Sequence, residues 1–372
     1  MNGQKPMGVG VIGAGAISDI YLTNMSQHFP QLSVKAVSAA HLEHAAAKAE
    51  KYGIDACTTE EMLARDDIDL AVVLTPVGTH EMLIRKALLA GKHVYTEKTI
   101  TDDPEKAAGL LQLASEKGRM LGSAPDTFLG PALQTARQAI DSGMLGEIHS
   151  FAVSANRCND ILLSMFSFLR QPGAGILYDY AVYYVTALVS LLGPAAETCA
   201  VTAAPYLTHR NILPDSPDFG RIMDTPNESE VCALLRLRSG ITGTVHLNAD
   251  SAAQDQAYFA IFGTKGILYL PDPNGFCGEV RFLPAMPKDW SHVLMETLPQ
   301  KTVPMTNMRG IGPAEMADAI RAGRMNRASA EMAYHVLEIL TAMLRSNQTG
   351  GFVSIASSCN RPEPMPADFQ MQ

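Results

Sequence analysis

Hydrophobic positions follow two different rhythms along this chain. Over residues 7–123, short apolar runs alternate with longer stretches of helical period. Runs at 9–12, 32–37, 70–74 and 93–96, and one starting at Met120, predict strands. Helical patterns fill the gaps to about residue 28 and over 41–52, 80–90 and 104–117. Gly91 and Gly118 fall just past two of them, where a helix ends most easily. The run Leu70-Ala71-Val72-Val73-Leu74 is nearly all apolar, as a strand covered on both faces should be. Strand and helix alternating on this scale predict a parallel sheet with helices on both sides.

From about residue 145 the period shortens to two. The stretch 148–154 alternates as a strand. Runs at 231–238 and 241–247 flank Ser239-Gly240, and runs at 258–262 and 267–270 flank a four-residue turn. Both read as hairpins, so one larger, mainly antiparallel sheet is expected. Helical patterns return at 313–322 and 328–346. The stretch 205–229, rich in Pro, Asp and Asn, predicts a long loop or lid. The tail 360–372 is expected to be mobile. With 372 residues, two domains are expected, 1–124 and 125–372.

Composition narrows the partners. Hydrophobic residues make up 47% and charged residues 18%, which excludes global disorder. The net charge of −9 argues against nucleic acid and anionic membrane surfaces. No apolar run approaches the ~18 residues that a membrane span needs. The six cysteines Cys57, Cys158, Cys199, Cys232, Cys277 and Cys359 show no metal-ligand spacing and read as reduced, mostly core thiols. The polar start 1–7 lacks a cationic signal-like region, so a cytoplasmic protein is expected.

The first chemistry-bearing motif is Gly13-Ala14-Gly15-Ala16-Ile17-Ser18, between an apolar strand and a helix. Gly13 permits a tight turn, and Gly15 lets backbone approach a pyrophosphate. The helix that follows offers N–H donors at Ala16 and Ile17 and a positive dipole end. This predicts a doubly wound dinucleotide-binding domain that takes NAD or NADP. An acid about 20 residues on would hydrogen-bond the adenosine ribose of NAD. The second strand instead ends Val37-Ser38-Ala39-Ala40-His41, with no acid and no arginine. Ser38 and His41 suit either nucleotide.

Two further motifs sit at carboxyl ends of predicted strands, where such sheets bind ligands. Thr75-Pro76-Val77-Gly78-Thr79-His80 follows the all-apolar run, and Glu97-Lys98 ends the next strand. Thr75, Pro76, His80, Glu97 and Lys98 are therefore candidate cofactor contacts.

Taken with Asp141-Ser142-Gly143-Met144-Leu145-Gly146-Glu147-Ile148 and Gly173-Ala174-Gly175-Ile176-Leu177-Tyr178-Asp179, these motifs resemble the Gfo/Idh/MocA family of oxidoreductases. The resemblance runs from residue 7 to about 350. It implies an α/β protein with an N-terminal Rossmann domain and a C-terminal α/β domain whose large open sheet often forms an oligomer contact. A homodimer or homotetramer through that sheet is expected. It also implies bound NAD(H) or NADP(H) and sugar- or cyclitol-like substrates.

The carry-over is uneven. The family's E-K-P is Glu97-Lys98-Thr99 here. The family's proline is often cis, and a threonine makes that bond much costlier, which leaves the local backbone open. The family's D-x-G-x-H is Asp179-Tyr180-Ala181-Val182-Tyr183, with tyrosine for the usual histidine. The segment 124–130 together with Tyr183-Tyr184 resembles a branch that carries tyrosine there. The resemblance makes Lys98, Asp179 and Tyr183 the catalytic candidates. Hydride transfer from an alcohol needs a base for the hydroxyl proton, and a lysine ammonium near a tyrosine would favour its phenolate. A packing role for Tyr183 stays open, because it begins an apolar helix. Asp126, Arg157, Asp179 and Tyr183 are candidate substrate contacts, and Gly173-Ala174-Gly175 is expected to let substrate or nicotinamide approach. Two other readings are a lyase or glycosidase that oxidises C3 transiently and recycles its cofactor, and a nucleotide-binding sensor without chemistry.

Overall fold

The computed structural model describes residues 5–171, 173–254, 256–286 and 292–371. The first four residues of the polar start and the last residue of the tail lie outside it. The chain opens with β1 (Met7–Ile12), α1 (Ser18–Gln27), β2 (Leu32–Ser38), α2 (Leu42–Tyr52), β3 (Asp55–Ala56) and α3 (Thr59–Leu63). It continues with β4 (Leu70–Val73), α4 (His80–Leu89), β5 (His93–Thr96), α5 (Pro104–Lys117) and β6 (Leu121–Ser123). The six strands pair in parallel in the order β3-β2-β1-β4-β5-β6. Strands β1 and β4 are buried at every position, which their unbroken apolar runs require.

Local signals set the ends of these helices. Thr58 and Glu61 close a capping box at α3. Asp103 accepts from the Glu105 N–H at the start of α5, with Pro104 in the first turn. Gly53 and Gly118 end α2 and α5 in the left-handed conformation.

The later elements are α6 (Pro131–Asp141), β7 (Ile148–Asn156), α7 (Asn159–Met165), a π-helical turn (Leu177–Ala181), α8 (Val182–Leu192), β8 (Ala195–Ala203), β9 (Thr208–Arg210) and β10 (Ile222–Asp224). They are followed by β11 (Glu230–Leu237), β12 (Thr242–Asn248), β13 (Ala257–Gly263), β14 (Gly266–Leu270), β15 (Arg281–Pro284), β16 (Glu296–Thr297), α9 (Ile311–Ala322), α10 (Ala330–Thr349) and β17 (Val353–Ser354). A nine-stranded sheet runs β16-β15-β14-β13-β7-β12-β11-β8-β17. Both predicted hairpins are present, β11 with β12 and β13 with β14. Among the described residues, β7 with β12 is the one parallel pair of this sheet. Along β11, Val231, Ala233, Leu235 and Leu237 are buried while Cys232, Leu234 and Arg236 are exposed. One face is therefore packed and the other open. Helix α8 is buried at all eleven positions, as a helix apolar all round must be.

The chain divides into two compact units. The first comprises Met1–Gly130, Thr302–Tyr334 and Pro362–Gln372; the second comprises Pro131–Lys301 and His335–Arg361. This division differs from a single cut at 124/125. The physical reason is local pairing within the first unit. Ser123 N–H donates to Ala328 O, α9 packs against β6, and Gly122 bridges to Ser329.

Three local expectations are corrected. The tail is not free: Arg327 donates to the carbonyls of Glu363 and Pro364, Gln31 donates to Gln370 O, and Phe369 is buried. The stretch 205–229 contains the β9–β10 ladder, whose Met223 packs with Leu162, Leu163 and Leu169. Of the six cysteines only Cys158 is buried; Cys199 and Cys232 fall on the open faces of β8 and β11.

Candidate functional site

The chemistry-bearing residues of the first unit gather at the carboxyl ends of its strands. Gly13 leaves β1 at φ 119°, and its N–H donates to Ser38 O at 2.8 Å. A Cβ on Gly13 would lie 2.7 Å from Leu74 O, so the turn and the end of β4 exclude any larger residue. Gly15 and Ala16 are exposed and Ile17 is half-buried. A Cβ on Gly15 would meet no atom within 4 Å. The Ser18 N–H and hydroxyl both donate to Gly15 O, which starts α1 directly behind the turn. Asp19, in the first turn of that helix, would repel a phosphate. It is instead paired with Lys48 and Lys51 and accepts from Tyr52, and these contacts hold its carboxyl far below the usual range. An open, Cβ-free turn at a helix N-terminus with its nearest acid neutralised fits a dinucleotide pyrophosphate.

Ser38 ends β2 fully buried, its hydroxyl 3.2 Å from that of Thr59. Its side chain is thus engaged inside the unit, while Ala40 and His41 are exposed. Thr75 is half-buried and Pro76 exposed; the Thr79 hydroxyl reaches both the Thr75 hydroxyl and Pro76 O.

His80 is fully buried. Its Nδ1 lies 2.8 Å from Thr99 O and its Nε2 2.7 Å from Thr75 O. Burial lowers its pKa, and a neutral imidazole has only one N–H to give these two carbonyls. With both nitrogens so placed, His80 braces the two strand-end loops. Direct contact with cofactor, expected from its motif position, is replaced by this role.

Glu97 is similarly turned inward. Its Oε1 accepts from the Tyr21 hydroxyl at 2.7 Å and its Oε2 from the Lys98 N–H at 3.0 Å. Tyr21 is fully buried, and burial keeps it a phenol. Glu97 therefore fixes the backbone from which half-buried Lys98 projects. The Lys98–Thr99 peptide is cis, as is Ala124–Pro125. Asp126, expected to meet substrate, is 2% exposed and accepts from the Gly312 N–H at 2.9 Å, capping the start of α9. Burial pushes its carboxyl pKa up to about 6.

Within the second unit lies a polar cleft. Arg157, Asp179, Tyr180, Asn227 and Glu228 line it together with Leu162 and Leu169, around a chamber of about 20 Å³. Asp179 and Tyr180 stand on the π-helical turn Leu177–Ala181, an irregularity frequent at functional sites. The Arg157 guanidinium stacks 4.4 Å over the Tyr180 ring, whose hydroxyl donates to Asp272 Oδ2 at 2.8 Å. Glu228 Oε1 accepts from the Leu177 N–H, and burial raises its pKa.

A Cβ on Gly175 would overlap the Glu228 carboxylate. The glycine expected to admit substrate instead makes room for Glu228. Tyr183 lies just beyond the turn, in buried α8, and is not among the residues lining this chamber. Sequence reasoning missed Tyr21, Tyr180, Asn227 and Glu228. Gly175 was the available signal for Glu228, since a glycine two residues before a helix implies something lying against it.

The comparisons with known proteins reach both parts of the chain. Residues 7–124 match the sequence profile of an oxidoreductase family with an NAD-binding Rossmann fold, and 133–269 match the GFO/IDH/MocA C-terminal domain. The class is that of oxidoreductase-family proteins with an NAD-binding Rossmann fold, and the chain belongs to the Gfo/Idh/MocA family. Inositol 2-dehydrogenase of Rhizobium meliloti is 28% identical over 213 residues, which are 57% of this chain but only 62% of that enzyme's length. A dTDP-3,4-didehydro-2,6-dideoxy-α-D-glucose 3-reductase of Streptomyces violaceoruber is 27% identical over 285 residues, 74% of this chain and 80% of that one. Levoglucosan dehydrogenase, solved with NADH and L-sorbose, superposes with a TM-score of 0.82. It is 19% identical over 95% of this chain and all of its own, a likeness of fold. No helix among the described residues is long and apolar enough to cross a membrane.

Proposed function

We propose that this protein transfers hydride between NAD(P) and a ring carbon of a sugar, sugar derivative or cyclitol. The observation that carries this reading is the open Gly15 turn at the start of α1, in the same unit as strand-end Lys98, whose backbone Glu97 and Tyr21 hold. The nicotinamide, when bound, supplies the hydride acceptor or donor. Lys98 donates a hydrogen bond to the reacting oxygen and to the nicotinamide ribose. Tyr183 takes the hydroxyl proton as the carbonyl forms. Asp179 orients a substrate hydroxyl, and Arg157 binds a second polar group. Family relatives that act on inositol and on deoxysugars support the substrate class. The C-terminal sheet, with its open face, is the proposed homodimer or homotetramer contact, and a cytoplasmic location is part of the same reading.

The test combines binding and turnover. NAD(H) or NADP(H) at 100 times its Kd should stabilise the protein by about 2.7 kcal/mol in a thermal-shift assay. Lys98→Ala should keep that shift and lose roughly a thousandfold or more in kcat/KM on the best sugar. Tyr183→Phe should lose at least a hundredfold in kcat; a loss of only a few-fold returns Tyr183 to packing. No shift with either nucleotide sinks the whole reading.

A further inference from the structure

We propose that the substrate carries a carboxylate and that Arg157 reads it. This rests on the sugar oxidoreductase reading above and narrows its substrate class to sugar acids. Arg157 directly follows β7, and its backbone is locked on both sides. Its N–H donates to Asn248 O at 2.8 Å, and its carbonyl accepts from Ser251 N–H at 3.1 Å. The guanidinium lies 4.4 Å from the centre of the Tyr180 ring, itself tied to Asp272. A fork of five donors thus stands among the residues that line the chamber.

Among the described residues the guanidinium has no partner acid within ion-pair distance, and its buried Nε has no acceptor at all. A buried guanidinium nitrogen without an acceptor is costly, and native structures keep one where another group completes it. Two acids line the same cleft, yet neither pairs with it. Glu228 has turned its carboxylate to the Leu177 N–H. The rest of the half-buried guanidinium is left for an acceptor from outside the chain.

The shape of the opening says which kind. A guanidinium is matched edge-on by a planar group with two coplanar oxygens, which is a carboxylate. The chamber of about 20 Å³ admits one small substituent and not a sugar ring. A tetrahedral phosphate is bulkier and gains less from the planar fork. Leu162, Leu163 and Leu169 also line the chamber.

Matched sugar pairs test this directly. Initial rates are measured with D-glucuronate and D-glucose, D-galacturonate and D-galactose, and D-mannuronate and D-mannose, with D-glucose 6-phosphate as the other anion. At least one acid should exceed its neutral partner about 100-fold in kcat/KM. In Arg157→Gln that preference should fall below about fivefold, chiefly through KM. Arg157→Lys keeps the charge without the planar fork and should restore only part of it. Equal or better use of the neutral partners or of the phosphate overturns the proposal, as does a preference that survives Arg157→Gln. Cofactor thermal shifts on every variant report folding; should Arg157→Gln not fold, Arg157→Lys alone must raise KM for the acid at least tenfold. If nucleotide binds but no sugar of the panel reacts, the sugar reading fails and this proposal with it. If neutral sugars react and acids do not, only this proposal fails.

Discussion

Gly13 and Gly15 look alike in the motif but answer to different constraints. Gly13 is held at φ 119°, and Leu74 O lies 2.7 Å from where its Cβ would be. Gly13→Ala should cost about 2 kcal/mol or more of stability in urea denaturation. Gly15 faces open space, so Gly15→Ala should leave the melting temperature unchanged while raising the Kd for nucleotide at least tenfold, measured by titration calorimetry. Equal melting temperatures for the two variants would remove the distinction.

Asp126 gives a second residue-scale prediction. Its folded pKa of about 6 lies above the usual 3.8. A carboxyl raised on folding adds stability that is full below pH ~4 and is lost as the pH rises through about 6. Above that, the buried carboxylate is a penalty on the order of 3 kcal/mol at most. Asp126→Asn can still accept from the Gly312 N–H. It should melt higher than the wild type at pH 7–8 and equal to it near pH 4. Parallel melting curves across that range would show that burial of Asp126 has no such consequence.

At the scale of elements, the π-helical turn and β11 are coupled through one glycine. Gly175 leaves the volume in which Glu228, just ahead of β11, reaches the Leu177 N–H. Gly175→Ala should destabilise by about 1–3 kcal/mol through overpacking. Paired with Glu228→Ala, it should cost less than the sum of the two single variants by at least ~0.5 kcal/mol. Strict additivity in urea denaturation would mean that the side chains do not compete for the space. Element positions in the parallel sheet were legible because an all-buried strand needs an unbroken apolar run and α2, α4 and α5 end at Gly53, Gly91 and Gly118. The turn Leu177–Ala181 was not legible. Its extra residue per turn is set by what packs against it, and residues 177–192 are too uniformly apolar to mark a phase change.

On the scale of the whole molecule, the first unit is completed by distant sequence. Residues 302–334 and 362–371 join it through Arg327, Gln31 and buried Phe369. Deleting residues 362–372 should remove about 2 kcal/mol of stability, most of it from Phe369. A truncated protein with an unchanged melting temperature would return the tail to the mobile class. Local patterning could not find these contacts, because a short polar tail carries no periodicity. Its order comes from carbonyl acceptors that Arg327 reaches 36 and 37 residues away.

The chain's own pattern determined the sheet types, both hairpins, the glycine turn and the strand-end placing of Thr75, His80 and Lys98. These depend on near neighbours: the period of burial, the conformational freedom of glycine, and the rule that ligands meet strand carboxyl ends. Tertiary structure alone decided what each polar side chain faces. It turned His80, Glu97 and Asp126 inward onto Thr99, Tyr21 and Gly312, and it left the Arg157 Nε buried without an acceptor. Hydrogen-bond partners 19 to 186 residues apart are chosen by packing, which the local sequence does not record.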